Sequence, residues 1–310
     1  MSIFHSVKVS FIAHFRLVAS YTHEWKLAGA LKGKSLQPKQ TSTMNIFRND
    51  RPLIMAHRGD SAAVPENTLL SFRRAMEIGI DFLESDVRLS KDDEPILFHD
   101  DNLQRVAGET GTIRDKTLEE LREIDLGYNF SPDEGKSFPY RGRNLRVVTL
   151  REAFQSFPNV PFNLDIKDKD IQAPAILAEV IKENNRQDSI VVGSFHNAQA
   201  RRFRELMPDV KTAASPSEVT RFVLALKMKL IGLLSKERPY DAFQVPMKSG
   251  IITVVNRRFV QAAHERGVAV HVWTVNERDE MAYLCKIGVD GIFTDRPAIL
   301  RGLLKDLGAL

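Results

Sequence analysis

The chain has 310 residues, of which 43% are hydrophobic and 27% are charged, a composition typical of a globular protein with one large domain or two small ones. The formal net charge is +4, but residues 1–44 hold six Lys or Arg and only one Glu; the rest is nearly neutral, which argues against a nucleic-acid-binding surface. No apolar stretch approaches the ~18–20 residues of a transmembrane helix, and the single cysteine, Cys285, cannot form an intrachain disulfide, so we expect a cytoplasmic protein with at most peripheral membrane contact.

Residues 1–44 are basic and poor in acidic side chains. The apolar stretch VKVSFIAHFRLVASY is interrupted by His14 and Arg16, and no small-residue cleavage site follows it, so it is not typical of a signal peptide. We expect residues 1–44 to be a disordered or dispensable extension, with Met44 as a candidate start of the functional chain. The alternative is a targeting peptide, which the basic composition also fits.

Residues 45–310 alternate short β-branched or aromatic runs with helical patterns, which is the signature of βα units around a parallel sheet. Eight strands are predicted, at 53–57, 81–87, 161–167, 189–195, 210–215, 242–246, 269–275 and 290–294. Helices are predicted at 67–78, 149–157, 173–184, 198–206, 217–234, 256–266 and 277–286, with Asn67, Thr149 and Asn256 as candidate caps. Eight such units predict a TIM (β/α)8 barrel, whose active site would lie at the carboxyl ends of the strands.

The run PILFH at 95–99 does not fit this alternation. Only the turn-like RLSKDDE separates it from the second strand, which is too short for a parallel crossover, so we predict an antiparallel excursion that brings His99 close to Asp86. Residues of about 100–146, with one helix near 117–124, would then form a small insertion over the barrel mouth after the second strand region.

Polar side chains gather where the predicted strands end. Glu84 and Asp86 are two residues apart on a strand and so project from one face, where their charges would repel each other. A divalent cation with hard oxygen ligands relieves this repulsion, and Asp165 on a neighbouring strand could supply a third oxygen. Three carboxylates predict Mg²⁺ or Ca²⁺ rather than zinc.

The remaining polar groups suit phosphodiester chemistry. His57 and His99 would be free to act as general acid and general base, because the pKa of imidazole lies near neutrality. Arg58 and Lys167 add positive charge that could stabilise phosphate oxygens in the transition state. Taken alone, the pair Glu84 and Asp86 has an alternative interpretation, because an isolated E-x-D on a strand is commonly a solvated face or an ion pair.

The motifs together closely resemble those of the glycerophosphodiester phosphodiesterase family. The stretch AHRGDSAAVPENTLLSFRRAMEIGIDFLESDVRLSKDDEPILFHDDNLQRVAGETG carries HRG, PENT, E-x-D and HD elements in order, and FNLDIK, VVGSFH, VHVWTVN and VDGIFTDRP are similar to later elements. The resemblance runs from residue 52 to about 300. It implies a TIM barrel, a bound divalent cation, and hydrolysis of glycerophosphodiesters to glycerol 3-phosphate and an alcohol.

The resemblance also implies roles for individual residues. His57 and His99 match the catalytic pair, Glu84 and Asp86 match metal ligands, and Arg58 and Lys167 match phosphate-contacting positions. The implied mechanism is attack of a neighbouring glycerol hydroxyl on phosphorus, giving a cyclic phosphate that water then opens.

One position departs from the family pattern and keeps other functions open. The family usually has Glu where this chain has Asp165, and an Asp there is similar to the related sphingomyelinase D group. The alternatives are therefore a lysophospholipase D or sphingomyelinase D-like lipid phosphodiesterase, acting on a lysophospholipid, and a barrel that binds phosphorylated ligands without catalysis.

Two further features bear on the substrate. Residues 219–234, VTRFVLALKMKLIGLL, are mostly apolar, and this segment is either a packed helix or a lipid-facing lip that makes peripheral membrane contact. Phe195 and Trp273 lie near strand ends, where each could line the substrate pocket or fill the barrel; in the pocket, Trp273 could bind a choline headgroup by cation–π attraction. The sequence leaves the oligomeric state open.

Overall fold

In the computed structural model, the described residues are Phe47, 50–235 and 237–310. The predictions for residues 1–44 therefore lie outside the described part of the chain. Eight parallel strands form one sheet, and a ninth strand adds to it in the opposite direction. The parallel strands are β1 (Leu53–His57), β2 (Phe82–Leu89), β4 (Phe162–Ile166), β5 (Ile190–Gly193), β6 (Lys211–Thr212), β7 (Ala242–Pro246), β10 (Ala269–Trp273) and β11 (Gly291–Thr294).

The sheet closes into a barrel. The strand order is β6-β5-β4-β2-β1-β11-β10-β7, and its two ends meet at a parallel bridge between Ala213 and Ala242. The amide of Ala214 donates to the carbonyl of Ala242 at 2.8 Å, and the amide of Asp241 donates to the carbonyl of Thr212 at the same distance. All eight predicted strands are present, and the predicted TIM barrel is confirmed.

The antiparallel excursion is also present. Strand β3 (Pro95–Leu97) pairs antiparallel with β2, with Val87 opposite Leu97, after a turn in which Asp93 has a φ of 62°. The following segment has its own apolar cluster and carries α2 (Gln104–Ala107), a 3₁₀ turn at Ile113–Asp115 and α3 (Leu118–Arg122). A second short hairpin, β8 (Lys248–Ser249) with β9 (Ile252–Thr253), was not predicted.

Helices cover the outside of the barrel because each returns the chain from one parallel strand to the next. They are α1 (Leu69–Ile78), α4 (Leu150–Ser156), α5 (Ala173–Glu183), α6 (Asn197–Leu206), α7 (Pro216–Lys227), α8 (Arg257–His264), α9 (Arg278–Ile287) and α10 (Pro297–Asp306). The last of these was not predicted. No helix in the described ranges is both long and apolar enough to cross a membrane.

Two predicted details of the helices are wrong. The cap of α1 is Thr68, whose hydroxyl accepts from the amide of Ser71, and not Asn67, which has a φ of 54°. The predicted helix 217–234 ends at Lys227, because Lys229 adopts a φ of 60° and a 3₁₀ turn, Ile231–Leu233, follows. Helix α7 buries Phe222 and Val223 against the barrel, as the packed-helix alternative predicts.

The barrel interior below the mouth is filled by side chains of two kinds. Leu53, Met55, Phe82, Val191, Ala242 and Phe293 form an apolar cluster together with Phe47, which precedes the first strand. Next to it lies a buried polar group in which Gln244 Nε2 donates to Asn163 Oδ1 at 2.6 Å and lies 3.4 Å from His271 Nδ1. Because side chains of the described residues fill the interior in this way, a ligand of the barrel would bind at its mouth.

Candidate active site

The chain turns sharply after β1 and thereby points its polar groups into the mouth. Arg58 and Gly59 adopt φ angles of 58° and 88°, and the amide of Arg58 donates to Glu84 Oε2 at 3.0 Å. A Cβ on Gly59 would lie within 2.5–2.6 Å of Ser71 backbone and side-chain atoms, so glycine alone fits where this turn meets α1.

His57, the last residue of β1, is held by a carboxylate from the last strand. Its Nδ1 lies 2.6 Å from Asp295 Oδ1, which also accepts from the Ser61 hydroxyl at 3.0 Å, and Asn276 Nδ2 donates to Asp295 Oδ2 at 2.7 Å. Burial and the Arg58 cation lower the pKa of His57, but the carboxylates of Glu84 and Asp295 outweigh them and the net shift is upward. Asp295 therefore orients the imidazole and stabilises its charged form.

Glu84 and Asp86 project into the mouth from β2, as their two-residue spacing predicts. Both are buried, and the Glu84 pKa is raised to about 7, first by burial and then by the charge of Asp86. The pKa of Asp86 shifts the other way because Lys167 and Arg58 outweigh its burial. Asp86 Oδ2 lies 3.1 Å from Arg58 Nε and accepts from Asn67 Nδ2 at 3.3 Å.

Asp165 lies beside Asp86, because the two residues are register partners on β4 and β2. Lys167 Nζ bridges them, at 2.6 Å from Asp165 Oδ2 and 3.1 Å from Asp86 Oδ1. Burial lowers the pKa of Lys167, but these two carboxylates outweigh burial and the net shift is upward, so the amine stays charged. The other oxygen of Asp165, Oδ1, is buried and has no hydrogen-bond partner among the described residues.

The chemistry of these donors fits a hard divalent cation. Glu84, Asp86 and Asp165 offer only carboxylate oxygens, and the Asp165 Oδ1 is unpartnered among the described residues. Burial and then the charge of Asp86 raise the pKa of Glu84, and a bound cation would oppose this shift. Residues 50–235 and 237–310 contain no ready-made cluster of three or more ligating side chains. Water and substrate oxygens would therefore complete the coordination of an ion held here.

His99 is held by a second and more extended network. Its Nδ1 lies 2.6 Å from Asp100 Oδ1, and Arg105 Nε donates to Asp100 Oδ2 at 2.6 Å. The other Arg105 nitrogens donate to both oxygens of Glu66, at 2.8 and 2.7 Å, and Glu66 Oε1 also accepts from Arg58 at 3.1 Å. The pKa of Glu66 is about 2, because the two arginines outweigh its burial. Burial lowers the pKa of His99 and outweighs the carboxylates nearby.

The charges of the site are unbalanced. Three permanent cations face a larger set of carboxylates, namely Arg58, Arg105 and Lys167 against Glu66, Glu84, Asp86, Asp100, Asp165 and Asp295. This excess of negative charge would repel a phosphodiester anion and attract a metal cation. A bound divalent cation would offset two of these negative charges and so weaken the repulsion of the substrate.

Two aromatic side chains form one wall of the mouth. Trp273 ends β10, and its ring centroid is 5.6 Å from that of Phe195 in an edge-to-face arrangement. Phe195 is 40% exposed, and Lys167 Nζ lies 4.8 Å from the centroid of its ring. Trp273 also packs against the apolar cluster of the barrel interior, so lining the pocket and filling the barrel both stay predictions for this residue.

The predicted site residues thus come together at one end of the barrel. Sequence patterns did not predict the supporting role of five further residues, namely Asp295, Asp100, Glu66, Arg105 and Asn67. Asp295 follows β11 directly, so the rule that polar residues at strand ends form the site would have found it. Arg105 lies in the insertion, where no periodicity or strand end distinguishes it.

The chain is similar to known phosphodiesterases over most of its length. Residues 57–299 match the "Glycerophosphoryl diester phosphodiesterase family". A glycerophosphodiester phosphodiesterase of Caldanaerobacter subterraneus subsp. tengcongensis is 32% identical over 265 residues, which cover 83% of this chain and 100% of that protein. A lysophospholipase D of Homo sapiens is 27% identical, over 82% of this chain and 87% of that protein.

A solved structure gives a similar result. The structure of an Oleispira antarctica phosphodiesterase in complex with the product sn-glycerol-3-phosphate superposes with a TM-score of 0.68 and 26% sequence identity. It covers 82% of this chain and 97% of the other.

Proposed function

Since this chain belongs to the glycerophosphoryl diester phosphodiesterase family, we propose that it hydrolyses glycerophosphodiesters to glycerol 3-phosphate and an alcohol, with His57 and His99 as the proton-transfer pair. It is an enzyme of the phosphoric diester hydrolase class, so the alternative of a non-catalytic barrel is set aside. The observation that carries the proposal is that each histidine is hydrogen-bonded at Nδ1 to its own carboxylate. Both histidines are close enough to Asp86 to lower the pKa of its carboxyl group, so the two imidazoles face the same part of the mouth.

The Nδ1 bonds decide what each ring can do. When Nδ1–H donates to an ionised carboxylate, the Nε2 atom is left to exchange a proton with the substrate. One histidine accepts the proton of the glycerol hydroxyl next to the phosphate as its oxygen attacks phosphorus, and the other donates a proton to the departing alcohol oxygen. The resulting cyclic phosphate is then opened by water, with the two proton transfers reversed.

The cations of the chain bind the phosphate. Arg58 and Lys167 both form ion pairs with Asp86. These pairs restrict the rotation of the two side chains and keep their N–H groups oriented toward the mouth. These groups stabilise the negative charge that develops on the phosphate oxygens, and in a partly buried site their effect is larger than in water.

We further propose that Glu84, Asp86 and Asp165 hold the divalent cation, Mg²⁺ or Ca²⁺. When bound, it supplies Lewis-acid polarisation of the phosphate and offsets part of the excess negative charge of the mouth. Asp165 has a shorter side chain than the Glu usual in the family, and its unpartnered Oδ1 is the atom that this ion would satisfy.

The test is turnover of glycerophosphocholine by purified protein in EDTA, Mg²⁺ or Ca²⁺. We expect cation-dependent release of choline, reduced at least about 100-fold in His57→Gln and His99→Gln. His264→Gln is a matched control, because His264 Nε2 is also paired with an aspartate, Asp290, at 2.7 Å but outside the mouth. Equal activity in EDTA would refute the metal proposal, and full activity of either mutant in the mouth would refute the two-histidine proposal.

Lysophospholipase D activity is the second candidate, and one observation favours it. Phe195 and Ile171, which follow β5 and β4 at the mouth, are 40% and 78% exposed, and apolar side chains in this place suit a substrate with an acyl chain. The relative from Homo sapiens is named a lysophospholipase D. Choline release from lysophosphatidylcholine but not from glycerophosphocholine would favour this candidate over the first.

Peripheral membrane contact through 219–234 stays a separate proposal. The exposed apolar side chains of this segment, Met228, Leu230 and Leu233, follow α7, which runs away from the mouth. The carbonyl of Leu234 accepts from Arg266 just before β10 begins. A contact there would hold the enzyme on a membrane without forming a lip around the substrate. Loss of liposome binding in Leu233→Glu, with unchanged turnover of glycerophosphocholine, would support it, and unchanged binding would refute it.

A further inference from the structure

We propose that Arg105 is a positioning residue that couples His99 to Arg58, and that holding Arg105 in place is a function of the insertion. The inference rests on the proposed function, in which His99 transfers a proton and Arg58 binds phosphate. Arg105 touches neither the reacting atoms nor the candidate metal ligands, and it acts through Asp100 and Glu66.

The geometry of Arg105 uses the whole guanidinium group. Two of its nitrogens donate to the two oxygens of Glu66, at 2.8 and 2.7 Å, while Nε donates to Asp100 Oδ2 at 2.6 Å. Only a planar fork with donors on three nitrogens can satisfy two carboxylates in this way. A lysine at this position would keep the charge but could hold one carboxylate at most with comparable geometry.

The first consequence concerns His99. Asp100 bonds His99 through Oδ1 and Arg105 through Oδ2, so the arginine fixes the rotation of the carboxylate that orients the imidazole. Without Arg105, Asp100 would be free to turn toward solvent, and the ring would lose the partner that keeps Nε2 directed into the mouth.

The second consequence concerns Arg58. Glu66 Oε1 accepts from both Arg105 and Arg58, so the single charge of Glu66 is shared between two cations. Without Arg105, the full charge of Glu66 would act on Arg58 alone and draw it away from Asp86 and from the phosphate. Arg105 therefore keeps the Arg58 guanidinium available to the substrate.

The insertion supplies the rigidity that this role requires. Arg105 lies in α2, whose next residues, Val106 and Ala107, are buried in the apolar cluster of the insertion. The side chain of Asn129 donates to the carbonyls of Gln104 and Arg105, at 3.1 and 3.2 Å. These contacts tie a later part of the insertion to the backbone that carries Arg105.

The experiment separates the two effects by their kinetic signatures on glycerophosphocholine. Asp100→Asn interrupts the link to His99 and is expected to lower kcat. The stronger pull of Glu66 on Arg58 that follows the loss of Arg105 is expected to raise KM, and Glu66→Gln should cancel this increase in an Arg105→Ala background. Arg105→Ala alone should have both effects, with kcat reduced about 10–100-fold, and Arg105→Lys should fail to restore either. In the double variant Arg105→Ala/Asp100→Asn, kcat should be little lower than in the worse single variant, because both act through one path.

Arg114→Ala is the matched control, since Arg114 lies in the same insertion but pairs with Asp93 and Asp170, which are not residues of the proposed site. We expect its kinetics to stay within twofold of the unmodified protein. Unchanged kcat and KM in Arg105→Ala or Arg105→Lys, alongside inactive His99→Gln, would overturn the role of Arg105 alone. Full activity of His99→Gln would instead refute the proposed function and the coupling together. An equal loss in Arg114→Ala would mean that the insertion acts only as a structural unit, which also overturns the proposal.

Discussion

The buried histidine beneath the mouth predicts a specific loss of stability in acid. His271 is fully buried, its Nε2 has no hydrogen-bond partner within the described residues, and burial lowers its pKa to about 4 from an ordinary value of 6.5. The nearest charge that favours its protonation, on Asp290, does not offset this burial. The folded protein therefore keeps His271 neutral at pH values where the unfolded chain is already protonated.

The sign and magnitude follow from this difference in pKa. Below pH 6.5 the unfolded state binds a proton that the folded state takes up only near pH 4, so stability falls as the pH drops through that window. The pKa of His271 differs by about 2.5 between the unfolded and the folded chain, and a pKa difference of one corresponds to ~1.4 kcal/mol, so His271 should account for about 3 kcal/mol of lost stability at pH 4. Below pH 4 this residue adds no further loss.

The assay is urea unfolding at several pH values between 7 and 4 for the unmodified protein and for His271→Gln. Glutamine does not titrate and can still hydrogen-bond Gln244, and contributions from other titrating groups cancel in the comparison of the two curves. We expect the unmodified protein to lose about 3 kcal/mol more than the variant over this range. Parallel pH curves for the two proteins would refute the reasoning.

Three other substitutions test the site. Gly59→Ala should lower the free energy of unfolding by roughly 2–4 kcal/mol, because the new Cβ meets Ser71 at 2.5 Å in a left-handed turn; a melting temperature equal to the parent's would contradict this. Asp295→Asn should reduce kcat about 10²–10³-fold with little change in KM, because His57 loses the carboxylate that orients it, and steady-state kinetics on glycerophosphocholine will measure both. Lys167→Met should destabilise the protein by roughly 3 kcal/mol in EDTA and by less in Mg²⁺, because a cation replaces the charge removed from two buried carboxylates. An equal loss with and without Mg²⁺, measured by urea unfolding, would argue against cation binding at these carboxylates.

The fold could be predicted from the sequence because its signals are local. Each strand is a short apolar run, each helix has its own periodicity, and the brief turn after β2 allows only an antiparallel partner. The common face of Glu84 and Asp86 follows in the same way from the two-residue period of a strand. The end of α7 was predicted less well. Lys229 adopts a left-handed backbone conformation that prevents the helix from continuing, and no sequence signal marks this residue.

The partners of the site residues depended on closure of the barrel. His57 and Asp295 are 238 residues apart, and they meet only because β1 pairs with β11. Arg105 reaches Glu66 across 39 residues because the segment after β3 folds on its own apolar cluster. Residue types and periodicity thus determine which side chains face the mouth, whereas hydrogen bonds between them require exact distances, and these are set only when distant elements pack together.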